Sequence, residues 1–302
     1  MNARTSTVVA TGIYFGEGPR WHDDRLWFSD FFRASVLSYD PAGDRTGDRT
    51  GELRVECTLD DRPSGLGWLP DGRLLMVAMV SREVRRREHD GTVVVHADLS
   101  DIATFHCNDM VVDDEGRAYV GNFGFDLDPW IEERGEGPAS RAEMPAAVIT
   151  RVDPDGSMTV VADDMKFPNG AVITPDGRTM IVAESMGRRL TGFTITDDGG
   201  LTDRRVWAEM GHRVPDGICL DAEGRVWVAN AGGPECVLVA EGGEIVEVVD
   251  TGDRCFACAL GGPDRRTLYA LASKESDAIR AAVAPTGSLR SVRVDVPGAG
   301  LP

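Results

Sequence analysis

Residues 220–230 read LDAEGRVWVAN: an apolar residue, a short acidic turn closed by glycine, then a run of β-branched and aromatic residues. The order is that of two strands joined by a tight reversal. Gly224 stands where the backbone must turn, and Val226, Trp227 and Val228 suit a pleated surface packed on its neighbours. The phrase recurs at residues 21–30 (WHDDRLWFSD), 68–78 (WLPDGRLLMVA), 111–122 (VVDDEGRAYVGN), 173–185 (ITPDGRTMIVAES) and 262–273 (GPDRRTLYALAS). With Asp24, Asp71, Glu115, Asp176, Glu223 and Asp264 as turn markers, successive copies lie 47, 44, 61, 47 and 41 residues apart. That is the period of propeller blades, not of helical repeats.

Each copy extends to the four strands a blade requires. In the fifth these are residues 217–220, 225–230, 236–240 and 244–250, with Gly242 and Gly243 turning the last pair; in the second and fourth, 92–99 and 204–210 supply outer strands. No segment of ten or more residues carries a helical period, so the strands stand without competition. The expectation is an all-β chain, one six-bladed β-propeller domain over residues 1–302, although this length suggests two domains in an average protein. A β-sandwich would explain the alternation but not six turns at blade spacing. Residues 7–10 and 289–296 both qualify as the outermost strand of the sixth blade, and the pattern does not choose between them. The interval of 61 holds residues 126–145 (DLDPWIEERGEGPASRAEMP), expected as a long loop, either a lid or binding element or an inert insertion.

Composition narrows the partners. A hydrophobic share of 42% supplies a large core, and 32 basic against 50 acidic residues leave a net charge of −18. Such a field repels phosphate backbones and anionic headgroups, which sets aside nucleic acid and membrane surfaces. With no run of eighteen apolar residues and no export-type start, the chain is expected to be cytoplasmic, its oligomeric state open. The scattered Cys57, Cys107, Cys219, Cys236, Cys255 and Cys258 are expected as reduced thiols, and Cys255 and Cys258 lack the second pair of a zinc-site signature.

The innermost strand of every blade lines the channel, so one register position makes a ring around the axis. Seven residues before each turn marker stand Glu17, Ser64, Asn108, Asn169, Asp216 and Ala257. Two carboxylates and two carboxamides on one axis repel or stay unsatisfied unless a cation sits between them. Oxygen donors without Cys or His favour one divalent metal cation such as Ca²⁺, Mg²⁺ or Mn²⁺, and Zn²⁺ also accepts carboxylates. The alternative makes Asn169-Gly170 and Asp216-Gly217 turn dipeptides and Glu17 a strand cap, yet each blade already turns seven residues later. A metal with open positions polarises a carbonyl and acidifies bound water, which is hydrolase chemistry. Asp216 can ligate through one oxygen and accept a proton through the other, which the amides cannot. His106 lies two residues before Asn108 on the same strand face, as a substrate-binding candidate or a histidine satisfied by backbone groups. Asn122 and Asp126 follow the next strand and are candidates for the same pocket.

Taken together, Glu17-Gly18-Pro19-Arg20-Trp21, Asn108-Asp109, Phe167-Pro168-Asn169-Gly170, Pro215-Asp216-Gly217 and Gly261-Gly262-Pro263 resemble the family of senescence marker protein, gluconolactonases and luciferin-regenerating enzyme. The resemblance covers nearly the whole length. It implies a six-bladed propeller that binds one divalent metal through Glu17, Asn169 and Asp216. It further implies Asn108 against metal-bound water or substrate, and Asp216 as acid and base. The family's sugar-lactone hydrolases often carry arginine where this chain has His106, and NDG where it has Asn108-Asp109-Met110. A histidine and the bulkier Met110 suit a less polar or differently charged lactone. The expected function is a metal-dependent lactonase, a carboxylic ester hydrolase acting on a gluconolactonase-like sugar lactone or a related one. The alternatives are a metal-dependent arylesterase or phosphotriesterase-like propeller, and a non-catalytic metal-binding propeller whose Asp216 only ligates. A strictosidine-synthase-like reading is weaker, since that chemistry needs no metal ring.

Overall fold

A computed structural model of the chain describes residues 4–43, 51–135, 137–275 and 278–299. The repeats become six antiparallel sheets, each four strands deep except the fifth, which gains a short extra strand. Their innermost strands are Gly16–His22, Pro63–Trp68, Cys107–Val112, Pro168–Ile173, Pro215–Leu220 and Arg254–Gly261. Burial falls outward along each blade: Leu74–Ala78 and Val226–Asn230 are buried at every position, whereas Leu201–Glu209 is mostly exposed. This gradient is what radially stacked sheets produce, because inner strands face a neighbouring blade on both sides and outer ones meet water.

Close approach of the inner strands depends on glycine. A Cβ on Gly65 would lie 2.2 Å from the Met110 nitrogen, and one on Gly170 2.6 Å from the Ile218 nitrogen. Backbone therefore packs on backbone around the axis. Farther out, one apolar wall fills each of the six blade interfaces. Met110 and Leu75 belong to the wall between blades two and three, and Trp227 and Leu260 to that between five and six. A fully buried large side chain contributes about 2–3 kcal/mol relative to exposure, so these walls carry most of the fold's stability.

The two chain ends close the ring inside the sixth blade, whose order places Thr7–Ile13 outermost, against Gly287–Arg293. The N-terminal segment is the one that fits the edge, since it is largely exposed until Ile13, whereas Gly287–Arg293 is sandwiched and buried at its start. Arg4–Thr5 adds a parallel pairing to Ile245–Asp250 of blade five.

The segment expected as a long loop instead contains two short helices, α1 (Leu127–Arg134) and α2 (Pro138–Glu143). Helix α1 buries no residue and ends at Gly135, where φ is 69°. The helices touch through Trp130 Nε1, which donates to Ser140 Oγ at 3.0 Å, and Lys166 Nζ ties the segment to blade four through the Met144 carbonyl at 2.7 Å. No helix among the described residues is long and apolar enough to cross a membrane.

Candidate active site

Four of the ring residues sit in the same backbone irregularity. Pro168 pairs with Glu184 and Ala171 with Val182, so Asn169 and Gly170 together oppose one residue of the next strand. The same two-against-one bulge holds Ser64, Asn108 and Asp216. A bulge bends its strand and re-aims the side chain it carries. In blade one the irregularity follows Glu17, and in blade six Phe256 is the extra residue before Ala257.

The ring is deeply buried: Glu17 is 5%, Asn108 5%, Asn169 8% and Asp216 7% exposed. Ser64 Oγ donates to Asn108 Oδ1 at 3.2 Å. Asn169 Nδ2 donates to Ser185 Oγ at 3.2 Å, which fixes that carboxamide with its oxygen as the end left over. Glu17 Oε2 accepts the Gly18 N–H at 3.3 Å, while Asp216 Oδ1 is buried without a hydrogen-bond partner. Burial, then the charges of Asp216 and Asp109, push the Glu17 carboxyl well above its ordinary value. Burial and the Asp109 charge do the same to Asp216 against a hydrogen bond from Asn169.

Asp109 is the residue that register reasoning passed over. It is 4% exposed, its Oδ1 has no partner, and burial raises its pKa against the pull of Arg20. Arg20, 3% exposed, donates to the Pro19 carbonyl at 2.8 Å and the Met110 carbonyl at 2.5 Å. The available signal was the position after each polar ring residue, glycine in Glu17-Gly18, Ser64-Gly65, Asn169-Gly170 and Asp216-Gly217 but aspartate after Asn108.

Among the described residues no three His, Cys, Asp or Glu side chains converge as a ready metal cage. The ring instead offers two carboxylates and two carboxamides. The orphaned oxygen of Asp216 and the mutual repulsion of the acids are the features that a hard divalent cation bound among oxygens would relieve. All six cysteines are free; Cys219 and Cys258 lie 3.8 Å apart in the apolar wall between blades five and six.

The second strand of each blade returns to the end where the ring lies, so the turns that follow form the rim of the mouth. His106 is half-buried there, its ring centroid 4.1 Å from that of Phe105, and its carbonyl accepts the Phe123 N–H at 2.9 Å. Burial and then Arg62 lower the His106 pKa, with exposed Asp126 opposing, which brings Asp126 to the same side of the mouth. Asn122 is not brought to the ring. It is 2% exposed and donates to the Val148 carbonyl at 2.9 Å inside its own blade. Asp30, Glu184 and Asn230 hold the corresponding strand ends and are also tied to backbone, accepting from N–H groups. Met110, expected to bear on the choice of lactone, is fully buried in the wall between blades two and three, because the bulge that turns Asn108 inward returns Met110 to the blade interface.

Residues 15–274 match the model of a family described as SMP-30/Gluconolactonase/LRE-like region. The chain is 28% identical over 268 residues to pentonolactonase XacC of Haloferax volcanii, covering 87% of this chain and 82% of that protein. It is 29% identical to a 6-deoxy-6-sulfogluconolactonase of Pseudomonas putida over 100% of this chain and 99% of that one. In fold it is similar to a calcium-binding protein, regucalcin, from Agrobacterium tumefaciens, with a TM-score of 0.78 at 21% identity over 100% and 99% of the two chains.

Proposed function

The chain belongs to the SMP-30/gluconolactonase/LRE-like family, and on that premise we propose that it is a metal-dependent lactonase. Two relatives named as lactonases support the reaction class. The observation that carries the reading is the buried, unpartnered Oδ1 of Asp216 in a ring otherwise made of Glu17, Asn108 and Asn169.

Glu17, Asn169 and Asp216 would hold one divalent cation, with Ca²⁺, Mg²⁺ and Mn²⁺ favoured by the oxygen donors and Zn²⁺ a further choice. A divalent ion so held supplies Lewis acidity toward a carbonyl and toward water. The side chains do the rest. Asn108, steadied by Ser64, presents a carboxamide that orients the lactone. Asp216 takes a proton from the attacking water as the new carbon–oxygen bond forms. It returns that proton to the ring oxygen as the acyl–oxygen bond breaks. The product is a hydroxy acid, which ionises and releases one proton to solution. Burial of the ring keeps other water from the exchange.

The test is proton release at constant pH over a panel of sugar, aliphatic and aromatic lactones, with metal-loaded and metal-stripped protein. Metal-dependent acid release is the expected result. Turnover confined to aryl or phosphate esters would give the arylesterase-like alternative, and bound metal with no turnover across the panel would leave a binding propeller.

A further inference from the structure

We propose that the preferred lactones carry an alkyl or aryl substituent in place of a set of hydroxyls, selected by an aromatic collar over the ring; this rests on the lactonase reading above. The chain has ten phenylalanines. Phe28 and Phe193 lie in blade walls, and the other eight stand at the ring's end of the strands or in the turns beside it. Six apolar clusters fill the six blade interfaces, and a seventh belongs to none of them. In it Phe15, Phe31, Phe256 and Met79 are buried together, with Phe32 and Phe123 half-buried against them. These residues come from blades one, two, three and six, so the cluster gathers over the axis instead of between two sheets.

Its height above the ring follows from the chain. Phe15 and Phe167 stand in the bends just ahead of the inner strands, two positions before the ring residues Glu17 and Asn169, and so lie on the mouth side of the ring. The rings meet one another directly: Phe15 and Phe256 have centroids 4.7 Å apart, and Phe123 and Phe167 4.3 Å. Three of the polar side chains at the same level, Asp30, Asp61 and Asn230, are already engaged. Asp30 accepts the Tyr14 and Phe15 N–H groups at 3.0 Å each, and Asp61 accepts those of Val80 at 3.1 Å and Ser81 at 2.7 Å. Asn230 accepts the Val214 N–H at 3.0 Å. A polyhydroxylated ring entering this mouth gives up water for each hydroxyl and finds Asp30, Asp61 and Asn230 already spent on backbone, with His106 and Asp126 as the partners left for a whole set of hydroxyls, a cost of the kind that makes sites reject mismatched polar groups. An apolar substituent meets the opposite situation, since it leaves water for aromatic surface.

The experiment compares kcat/KM of the metal-loaded protein for δ-gluconolactone and δ-decalactone, which share a six-membered lactone ring. We expect δ-decalactone to be favoured by about tenfold or more. The ratio should fall about tenfold in Phe32→Gln and again in Phe123→Gln, two variants from different blades, each checked for native circular dichroism. Preference for δ-gluconolactone, or a ratio unmoved in both folded variants, overturns the collar while leaving the lactonase reading intact. Failure to open either lactone, or any other in the panel, overturns that reading and the collar with it.

Discussion

Asp216 and Asp109 each keep a buried carboxylate oxygen without a partner, and the roles we assign around the axis depend on which side chains can pass a proton. Asn108 and Asn169 can orient and ligate but cannot carry a proton, so acid–base work falls to a carboxylate. With metal supplied in excess, Asp216→Asn should lose roughly 10²-fold or more in kcat, the scale of a removed general acid–base group. Retention of nearly full kcat would reduce Asp216 to a ligand. The double variant Glu17→Gln with Asp216→Asn should lose its divalent ion on dialysis, measured by elemental analysis; unchanged metal content would remove the ring from metal binding. His106→Ala should change kcat/KM by different factors for different lactones while metal content holds, and equal factors would argue for a structural role. The four ring residues were legible because one register position repeats through six blades. Asp109 was not, because it lies one residue off that register and only the bulge brings its charge to bear on Glu17 and Asp216. Asn122 ends a second strand, one layer out from the channel, where its amide donates to the Val148 carbonyl.

Among the elements, blade four has a polar anchor of its own. Glu184 ends its second strand with a side chain fully shielded from solvent and accepts hydrogen bonds from the Lys166 N–H at 2.7 Å, Arg189 at 2.8 Å and Thr191. Burial pushes its carboxyl up, but the hydrogen bonds from Arg189, Thr191 and Lys166 outweigh burial and leave the pKa below the ordinary value of 4.5. A folded-state pKa below the unfolded one means stabilisation that is complete above pH of about 4.5 and lost as pH falls through the folded value. Glu184→Gln should therefore cost roughly 3 kcal/mol in urea unfolding at pH 7. The gap to the parent protein should narrow on acidification below about pH 4.5, and a gap independent of pH would show that the charge is not what matters. Strand positions were legible to within three residues because turn chemistry marks them. Helices α1 and α2 were not, because eight and six residues make about two turns at most and α1 buries no side chain that would write a period into the sequence.

At the scale of the whole molecule, six blades at blade spacing were readable from the turn markers alone, whereas the manner of closure was not. Both chain ends alternate like strands, and only their burial along the strand, Thr7–Ile13 largely open until its last residue and Gly287–Arg293 buried from its start, assigns them their places. That closure also sets a timetable for synthesis. Thr7 pairs with Ser291, 284 residues later in the chain. At about 5–20 residues per second, the first full strand waits roughly 15 to 60 s on the ribosome before its partner exists. During that interval blade six has an open edge, and the neighbouring wall that receives Ile13 is unfilled. Ribosome-arrested chains ending before residue 287, held clear of the exit tunnel by a linker, should be cut by protease in blade six, and full-length arrested chains should resist. Resistance in the shorter chains would mean that five blades close without the sixth. Every ring side chain has been translated once Ala257 is, yet the side chains are held about one axis only once the circle of blades is closed, so ligand capture becomes an event that follows the pairing of Thr7–Ile13 with Gly287–Arg293.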